Sequence, residues 1–410
     1  MKKEISTNPF NIIVIVATLG YFVDIYDLVL FGIVKDPSLR DIGVSEDQLF
    51  SVGNYLLRMQ MWGMLLGGIV WGVLGDKRGR LSTLFLTILL YSLANIANGF
   101  VQSVEQYAWM RLIAGFGLAG ELGVGITLVS EVMSKESRGT GTSIVAGIGI
   151  LGAIVGFYVT ETFNWKIAYW VGGGLGLLLL ILRVAVYESG MFEKTKSQEI
   201  KRGNFFGLFT NIKNFKKYIV IILVGIPVWY TISVLTINAG AFAKDALHIT
   251  GTIKGSTSVM LHYVGASIGS FLLGYLSQKI RSRRKAIFLA LISITILTGA
   301  YFLASGTSST WFYFLIFALG LPMGGLWTVF MTSASEQFGT NIRATVTTSA
   351  PNFVRGSTIL VTLYLDYLKP SLGLWSAGLI VGAICIGISF VGVYFLEETY
   401  DKDLDYTETQ

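Results

Sequence analysis

Cysteine, histidine and charge are all scarce in this sequence. Of its 410 residues one is cysteine and two are histidine, and only 14% are charged, against about 25% in soluble proteins. The lone Cys385 excludes an intramolecular disulfide, and so small a supply of Cys and His excludes their usual metal sites and catalytic clusters. We therefore expect that the protein binds no metal and no cofactor and is not an enzyme. With 53% hydrophobic residues, the composition indicates a membrane protein.

Apolar runs long enough to cross a bilayer recur along the whole chain. A spanning helix needs about 20 mostly apolar residues, and twelve stretches meet that requirement: 10–34, 47–74, 81–102, 106–132, 138–161, 166–187, 217–243, 255–278, 284–305, 310–336, 345–368 and 371–396. A polar, basic segment, 188–216, separates the sixth from the seventh. The sequence predicts an all-α integral membrane protein with six helices on each side of this segment.

The basic residues predict the orientation of these helices. If both termini lie inside, 21 of the 31 lysines and arginines fall in inner segments and six in outer loops, Lys35 among them. The other four lie within spans. Lysine and arginine concentrate on the cytoplasmic side of membrane proteins, so we expect both termini in the cytoplasm. The net charge of +6 then follows from topology, and we expect no nucleic-acid partner.

The two halves of the chain share short polar patterns. "SEVMSKESRGTGTS" from Ser130 and "SEQFGTNIRATVTTS" from Ser335 each place an arginine seven residues after a glutamate, at an offset of 205. "GVLGDKRGR" and "GYLSQKIRSRRK" correspond at the similar offset of 202. Internal repeats are common in transporters, whose substrate sites lie between the repeats. The pattern predicts two duplicated six-helix bundles.

One of these stretches carries a family resemblance. "GGIVWGVLGDKRGR" resembles the signature loop between helices 2 and 3 of the major facilitator superfamily, with Gly72, Asp76, Gly79 and Arg80 at the motif positions. "DIYDL", "RLIAGFGLAGE", "ESGMFEK" and "EETYDKDL" resemble the proton-coupled sugar, aromatic-acid and metabolite symporters and their organic-ion relatives within it. Leu81 departs from the motif, where a second basic residue is usual.

The resemblance implies a definite architecture. It implies twelve transmembrane helices in two pseudo-symmetric bundles that transport by alternating access, with residues 1–187 and 217–396 as the bundles, 188–216 as a cytoplasmic linker and 397–410 as a cytoplasmic tail. It also implies that Asp76 and Arg80, with Gly72 and Gly79, hold the bundles together at the cytoplasmic side.

A second group of charges is predicted to act beside this loop. Glu131 with Arg138, and Glu336 with Arg343, lie at inner helix ends in both halves and predict a repeated cytoplasmic gating network. The alternative for the loop itself is a solvated turn that only sets topology.

Charges inside the spans are the candidates for proton coupling, because an ionisable group in hydrocarbon is costly and marks function. Asp24 and Asp27 lie three residues apart on one face of helix 1. Helix rise places Asp27 and Arg111 at a similar depth, and the resemblance implies that they form the coupling pair. Glu121, near the middle of helix 4, is a second candidate. A static ion pair, or a structural partner for Glu121 on another helix, are the alternatives.

Two further arginines are the candidates for binding a negative substrate. Arg58 and Arg355 lie near mid-span with no acidic residue one turn away, so each needs a partner from another helix or from an anion. Asn352 shares the face of Arg355 and adds a donor. The family architecture implies that helices 1, 4, 7 and 10 supply the rest of the cavity, for which we select Tyr26, Trp229, Tyr230, Thr236, Asn238 and Trp327.

Together these features predict a secondary transporter of the inner membrane. We expect proton symport of a small organic solute, favouring an anion such as a carboxylate, by a functional monomer in the lipid bilayer whose only coupling partner is the proton. A neutral or cationic solute, facilitated diffusion or export is the alternative, in which Asp24 and Glu121 would face the substrate. A non-transporting membrane sensor is a further one.

Overall fold

The structure is a computed structural model that describes residues 12–78, 80–121, 141, 144–145, 147–188, 209, 211–339 and 342–402. The helices are α1 (Ile12–Asp41), α2 (Leu49–Arg78), α3 (Arg80–Asn98), α4 (Val104–Leu118), α5 (Gly152–Thr162), α6 (Trp165–Glu188), α7 (Ile212–Tyr230), α8 (Gly255–Lys279), α9 (Arg283–Phe302) and α10 (Ser309–Gln337). The last helical run, Arg343–Phe395, divides at Gly373 into α11 (343–372) and α12 (374–395).

The boundaries of several helices follow from single side chains. Ser103 accepts a hydrogen bond from the amide of Gln106 at the start of α4, and Asn211 caps α7 through the amides of Lys213 and Asn214. Such caps satisfy amides that the first helical turn leaves free. The division between α11 and α12 requires glycine, because Gly373 has φ of 76°, a conformation that other residues rarely adopt.

The described helices pack mainly within two groups. Helices α1 to α6 contact one another, above all α2 with α4 and α3 with α6, and α7 to α12 do the same, above all α8 with α10 and α7 with α11 and α12. Between α8 and α10 the backbones approach so closely that a Cβ at Gly269 or Gly324 would collide with the backbone of the other helix. Small residues permit such approaches in membrane helices. The domain boundaries predicted above stay predictions.

Contacts between the groups run along α2 with α11 and α1 with α8. We call the end of the molecule where α1 ends and α2 begins the predicted outer face, and the opposite end the predicted inner face. At the predicted outer face Lys254 and Glu161 form an exposed contact across the groups (3.7 Å).

The all-helical class with many apolar helices is confirmed. Eight helices of the described chain are long and apolar enough to cross a membrane, and the last of these eight runs through the kink from α11 into α12. The count of twelve spans and the positions of the termini stay predictions.

Helix 1 corrects one prediction. We placed its end at residue 34 and Lys35 in an outer loop, but α1 continues through Pro37 to Asp41, and Lys35 is 6% exposed. Its ammonium group donates to the carbonyl of Ile237 (3.3 Å) and to Asn238 Oδ1 (3.0 Å). These acceptors lie in the segment that follows α7, so hydropathy along α1 alone could not reveal them.

Candidate functional site

A small cavity lies between the two groups of helices; the empty space of about 320 Å³ at this place includes solvent outside the cavity. We call it the central cavity; its lining residues are Tyr21, Ile25, Leu28, Ile150, Val228, Trp229, Ile232, Tyr263, Met323, Gly324, Trp327 and Arg355. Apolar and aromatic side chains dominate this lining, and among the described residues Arg355 is its one charged side chain. An apolar pocket with few polar groups is typical of small-molecule sites.

Arg355 on α11 is held in place by two neighbours and is not neutralised by either. Its Nη1 donates to Asn352 Oδ1 (3.1 Å), and its guanidinium group lies over the ring of Trp327 (5.5 Å to the centroid). Within the described residues no carboxylate comes within ion-pair distance of Arg355, and its Nε has no hydrogen-bond partner. The site therefore holds a buried positive charge that faces an apolar space.

The residues around Arg355 fix its surroundings further. Asn352 also donates to the carbonyl of Ala119 (2.7 Å), which joins α11 to the end of α4. Trp327 donates through its indole nitrogen to the hydroxyl of Tyr21 (3.0 Å) on α1. Trp229 on α7 lines the same cavity, and its indole nitrogen has no partner among the described residues. Arg355 and Trp229 thus offer two unused donors to one cavity.

The structure separates the predicted substrate residues into two sets. Trp229, Trp327 and Arg355 line the central cavity, and Asn352 contacts Arg355. The others lie elsewhere. The hydroxyl of Tyr26 donates to the carbonyl of Ala168 (2.8 Å).

The side chains of Tyr230 and Asn238 hydrogen-bond to other residues and do not line the cavity. The Tyr230 hydroxyl donates to the carbonyl of Gly378 (2.9 Å) on α12. Asn238 donates to Asn54 Oδ1 (3.2 Å) and to the carbonyl of Ser233 (2.9 Å). Thr236 bonds to the ring of His262 (3.1 Å). Each of these groups gives a buried polar atom a hydrogen-bond partner. Residue type and depth along a helix do not show which buried atoms lack a partner.

Arg58 is not part of the lining of the central cavity. It forms an ion pair with Asp366 of α11 (Nη1 to Oδ2, 2.6 Å), and Asn54 donates to the other oxygen of Asp366 (2.9 Å). Of the two partners that the sequence left open for Arg58, the structure provides the one on another helix. We missed Asp366, although it lies eleven residues after Arg355 and so close to the same helical face.

Asp27 and Arg111 occupy one buried region but do not form the expected ion pair. Both are fully buried, and neither carboxylate oxygen of Asp27 nor any guanidinium nitrogen of Arg111 has a hydrogen-bond partner in the described chain. Arg111 lies over the rings of Phe31 (5.7 Å) and Tyr169 (5.5 Å). It still interacts electrostatically with Asp27. Helix rise predicts that the two residues lie at a similar depth, but it does not predict the lateral distance between α1 and α4.

The other two candidates for proton coupling differ sharply in their partners. Glu121 forms an ion pair with Arg183 of α6 in which both of its oxygens accept. This is the structural alternative that the sequence left open for Glu121. Asp24 is 2% exposed, and its Oδ1 has no partner among the described residues.

The predicted gating residues are only partly described. Gly72 lies against Thr345 and Thr348 of α11. The side chains of Asp76 and Arg80, together with Gly79, Glu131 and Arg138, lie outside the described part of the chain. Their roles stay predictions.

In the second half, Glu336 pairs with Arg283 of α9 (3.2 Å) and accepts from Thr399 (2.8 Å). The sequence predicts that Arg343 belongs to the same network; its Nε donates to the carbonyl of Phe338 (3.1 Å). Arg283, at the start of α9, is not among the predicted gating residues.

The "EETY" stretch that follows α12 joins this cluster. Glu398 accepts from the Ser282 hydroxyl and from the amides of Arg283 (2.8 Å) and Arg284 (3.3 Å), so it caps the start of α9. Partial burial alone would raise the pKa of the Glu398 carboxyl, but these hydrogen bonds and one from the Tyr400 amide hold the pKa below its usual value.

Comparison with known proteins identifies the family. The sequence model of the Major Facilitator Superfamily matches residues 17–362. The "Probable 4-methylmuconolactone transporter" of Cupriavidus pinatubonensis is 25% identical over 93% of this chain and 89% of its own length. The niacin transporter of Acinetobacter baylyi is 26% identical over 80% of each chain.

A solved structure, that of a proton:xylose symporter of the same superfamily bound to 6-bromo-6-deoxy-D-glucose, superposes with a TM-score of 0.72 over 96% of this chain and 97% of that one. At 15% identity this similarity concerns the fold. With the family match and the transporters among its relatives, it leads to one conclusion: the chain belongs to the Major Facilitator Superfamily and is a membrane transporter of small organic solutes, not an enzyme.

Proposed function

We propose that this transporter imports a small organic anion together with protons, by alternating access across the inner membrane. In this proposal the cargo carries one carboxylate on a flat, largely apolar ring. The protein works as a monomer with both termini in the cytoplasm, and the proton is its only coupling partner.

The observation that carries the proposal is the position of Arg355 in the central cavity. An arginine stays charged in a protein, and a buried charge without a counter-charge is costly. Arg355 is 1% exposed and has no ion-pair partner in the described chain. An anionic substrate would pair directly with this guanidinium group, and its ring would pack against the aromatic residues around it.

The relatives support this cargo class. Niacin and 4-methylmuconolactone, the compounds for which two relatives are named, are small unsaturated rings that bear a carboxylate. A single arginine in an aromatic cavity suits this chemistry better than a polyol, which would need many hydrogen-bonding side chains in the lining.

In transport by alternating access, the contacts between the two halves break and re-form. At the predicted outer face Lys35, Asn54 and Arg58 bind residues of the second half. Opening toward the outside requires these contacts to break. The cavity then receives the anion and the proton, and re-formation of the contacts commits both to release inward.

Binding tests the anion part of the proposal. Benzoate and benzamide share a ring and a size, and only benzoate is charged. We expect benzoate to raise the melting temperature of the purified protein by mass action, benzamide to have no effect, and Arg355→Gln to abolish the response. Arg40→Gln, at an exposed arginine of the predicted outer face, is the matched control and should respond like the wild type. Equal stabilisation by benzamide or by an amine contradicts the anion cargo.

Transport tests the proton part. In proteoliposomes with an acidic exterior we expect labelled benzoate to accumulate above the passive entry seen in protein-free liposomes, and a protonophore to abolish the difference. Uptake that only equilibrates, with no dependence on the gradient, contradicts proton coupling and leaves facilitated diffusion.

A further inference from the structure

Asn352 forms three hydrogen bonds from one buried side-chain amide. Its Oδ1 accepts from Arg355 Nη1 (3.1 Å), and its Nδ2 donates to the carbonyls of Thr348 (2.8 Å) and Ala119 (2.7 Å). A carbonyl only accepts and a guanidinium group only donates, so a single orientation of the amide satisfies all three partners. Asn352 is 1% exposed and both of its N–H groups are used. It is therefore placed to hold Arg355 and not to bind the cargo itself.

The support that Asn352 receives comes from both halves of the chain. Thr348 and Arg355 belong to α11, as Asn352 does, but Ala119 is the residue that ends α4 in the first half. Helix α2 of the first half also contacts the amide, because a Cβ at Gly68 would lie only 2.7 Å from the Cβ of Asn352. Two helices of the first half thus hold the side chain that orients Arg355.

These contacts lie between the central cavity and the predicted inner face. Helices α2 and α4 run toward that face, and α11 begins there. Still closer to it, Gly72 of α2 lies against Thr345 and Thr348 of α11. Separation of α11 from α2 and α4 at the predicted inner face would therefore break the bond between Asn352 and Ala119 and uncover the amide.

An uncovered amide would hold Arg355 less well. Water would replace the carbonyl of Ala119 as the acceptor, and it would also compete with Arg355 for Oδ1 of Asn352. A side chain with fewer fixed partners has more conformations open to it. A carboxylate that pairs with Arg355 must then also order the guanidinium group, and this cost lowers the affinity.

We propose, resting on the proposed function above, that Asn352 is a positioning residue that makes the affinity of Arg355 for the anion depend on closure of the predicted inner face. While α11 contacts α2 and α4, Asn352 holds Arg355 in place for the cargo. When the halves separate there, Arg355 loses this support and the cargo leaves on the side that has opened. Because coupling is reciprocal, a bound anion favours the closed inner contacts by the same factor.

A disulfide can hold these inner contacts closed for a direct test. A Cβ at Gly72 would lie 3.7 Å from the Cβ of Thr348, a separation that a disulfide spans. In a Cys385→Ala background, Gly72→Cys with Thr348→Cys gives a parent protein that oxidation locks and reduction releases. The lock keeps the backbone carbonyl of residue 348 that accepts from Asn352, and it leaves the predicted outer face free to open.

Benzoate is titrated calorimetrically into the oxidised and the reduced parent. We expect the oxidised form to bind severalfold more tightly, up to about tenfold if the reduced protein is mostly open inward, which is the size of one net hydrogen bond to a charged group. Asn352→Ala in the same background should bind benzoate about tenfold more weakly than the oxidised parent. Its affinity should be the same in the oxidised and the reduced form.

Ser267→Ala in this background is the matched control. The hydroxyl of Ser267 on α8 donates to the carbonyl of Gly147 in the first half at 2.7 Å, the same distance as in the bond from Asn352 to Ala119. This bond also joins the two halves, but it does not support Arg355. The variant should keep the full difference in affinity between the oxidised and the reduced form.

The possible results separate this inference from the proposed function. Equal affinity of the oxidised and reduced parent overturns the inference alone. A difference that persists in Asn352→Ala shows that closure acts by another route, and a difference that Ser267→Ala also abolishes shows a general effect of contacts between the halves. Either result overturns the role of Asn352. No benzoate binding in any form overturns the proposed function.

If Asn352→Ala does not fold, the parent protein still tests the coupling. Reciprocity predicts that benzoate increases severalfold the rate at which the Gly72→Cys and Thr348→Cys pair forms its disulfide, because the anion favours the closed inner contacts. Benzamide should leave this rate unchanged. A rate that benzoate lowers or does not change contradicts the proposal.

Discussion

Trp229 and Trp327 line one cavity from α7 and α10, but their indole N–H groups differ. That of Trp327 is used, since it donates to Tyr21 across the two halves, and that of Trp229 is unused within the described residues. A free donor beside an arginine in an apolar space is a second contact for a carboxylate. The two tryptophans therefore form a matched pair in which the same substitution has different consequences.

We predict that Trp229→Phe weakens benzoate binding about fivefold and leaves thermal stability nearly unchanged, because one net hydrogen bond contributes about 1 kcal/mol. Trp327→Phe should instead lower the free energy of unfolding by about 1 kcal/mol, since Tyr21 loses its donor. Calorimetric titration and thermal unfolding of both variants measure the two effects. Equal loss of affinity in both would show that ring size, and not the N–H group, is what the cargo senses.

At the scale of elements, α9 depends on a residue that is distant in sequence. Its first turn is capped by Glu398, which follows α12, and Glu336 of α10 pairs with Arg283 in the same turn. A carboxylate at a helix start satisfies free amides and interacts favourably with the helix dipole. The stretch after α12 thus ties three helices of the second half together at the predicted inner face.

We predict that Glu398→Gln lowers the free energy of unfolding by about 1 kcal/mol near pH 7. The folded protein holds the pKa of Glu398 below its usual value. The contribution is therefore present above the unfolded pKa of about 4.3 and disappears as the pH falls through the lower folded pKa. Melting curves of wild type and variant should converge in that acidic range. Glu397→Gln, at an exposed neighbour, serves as control, and a loss of the same size there would assign the effect to net charge.

The sequence predicted which residues are buried better than it predicted which residues pair across helices. Buried Asp24, Asp27, Arg111 and Arg355, and the aromatic residues Trp229 and Trp327, were expected inside and are inside. Residue type and helical periodicity carry this information.

Lateral pairing was not predictable in the same way. Helix rise gives depth along the membrane normal, and which helix lies beside which depends on packing of the whole chain. This is why the partner of Arg58 was missed, why Asp27 and Arg111 do not form the predicted ion pair, and why Lys35 was assigned to a loop.

At the scale of the whole molecule, the ion pair of Arg58 and Asp366 joins the two halves near the predicted outer face. Both residues are partly buried, and Asn54 bonds to the same carboxylate. Partly buried pairs with good geometry contribute more than exposed ones. Loss of the Arg58–Asp366 ion pair should shift the population of conformations toward the outward-open one.

We predict that Arg58→Gln or Asp366→Asn raises severalfold the rate at which an impermeant maleimide, applied from outside, labels Leu28→Cys in the central cavity of a Cys385→Ala background. The control is Arg40→Gln, which breaks the exposed pair of Arg40 with Glu46 within one half (2.5 Å) and should leave labelling unchanged. If the outer variants label at the control rate, the pair does not hold the outer side closed.

The buried aspartates of α1 also constrain how the chain is made. Asp24 and Asp27 enter the membrane with α1, but the arginines that interact with them electrostatically lie on α4, α6 and α11 and are synthesised later. A central aspartate adds roughly 2.5 to 3.5 kcal/mol to the insertion of a helix. We therefore expect α1 to stay near the translocon or another protected surface during biosynthesis until the helices that carry these arginines arrive. A ribosome that stalls before α4 would leave behind a first helix that the quality-control proteases of the membrane can extract.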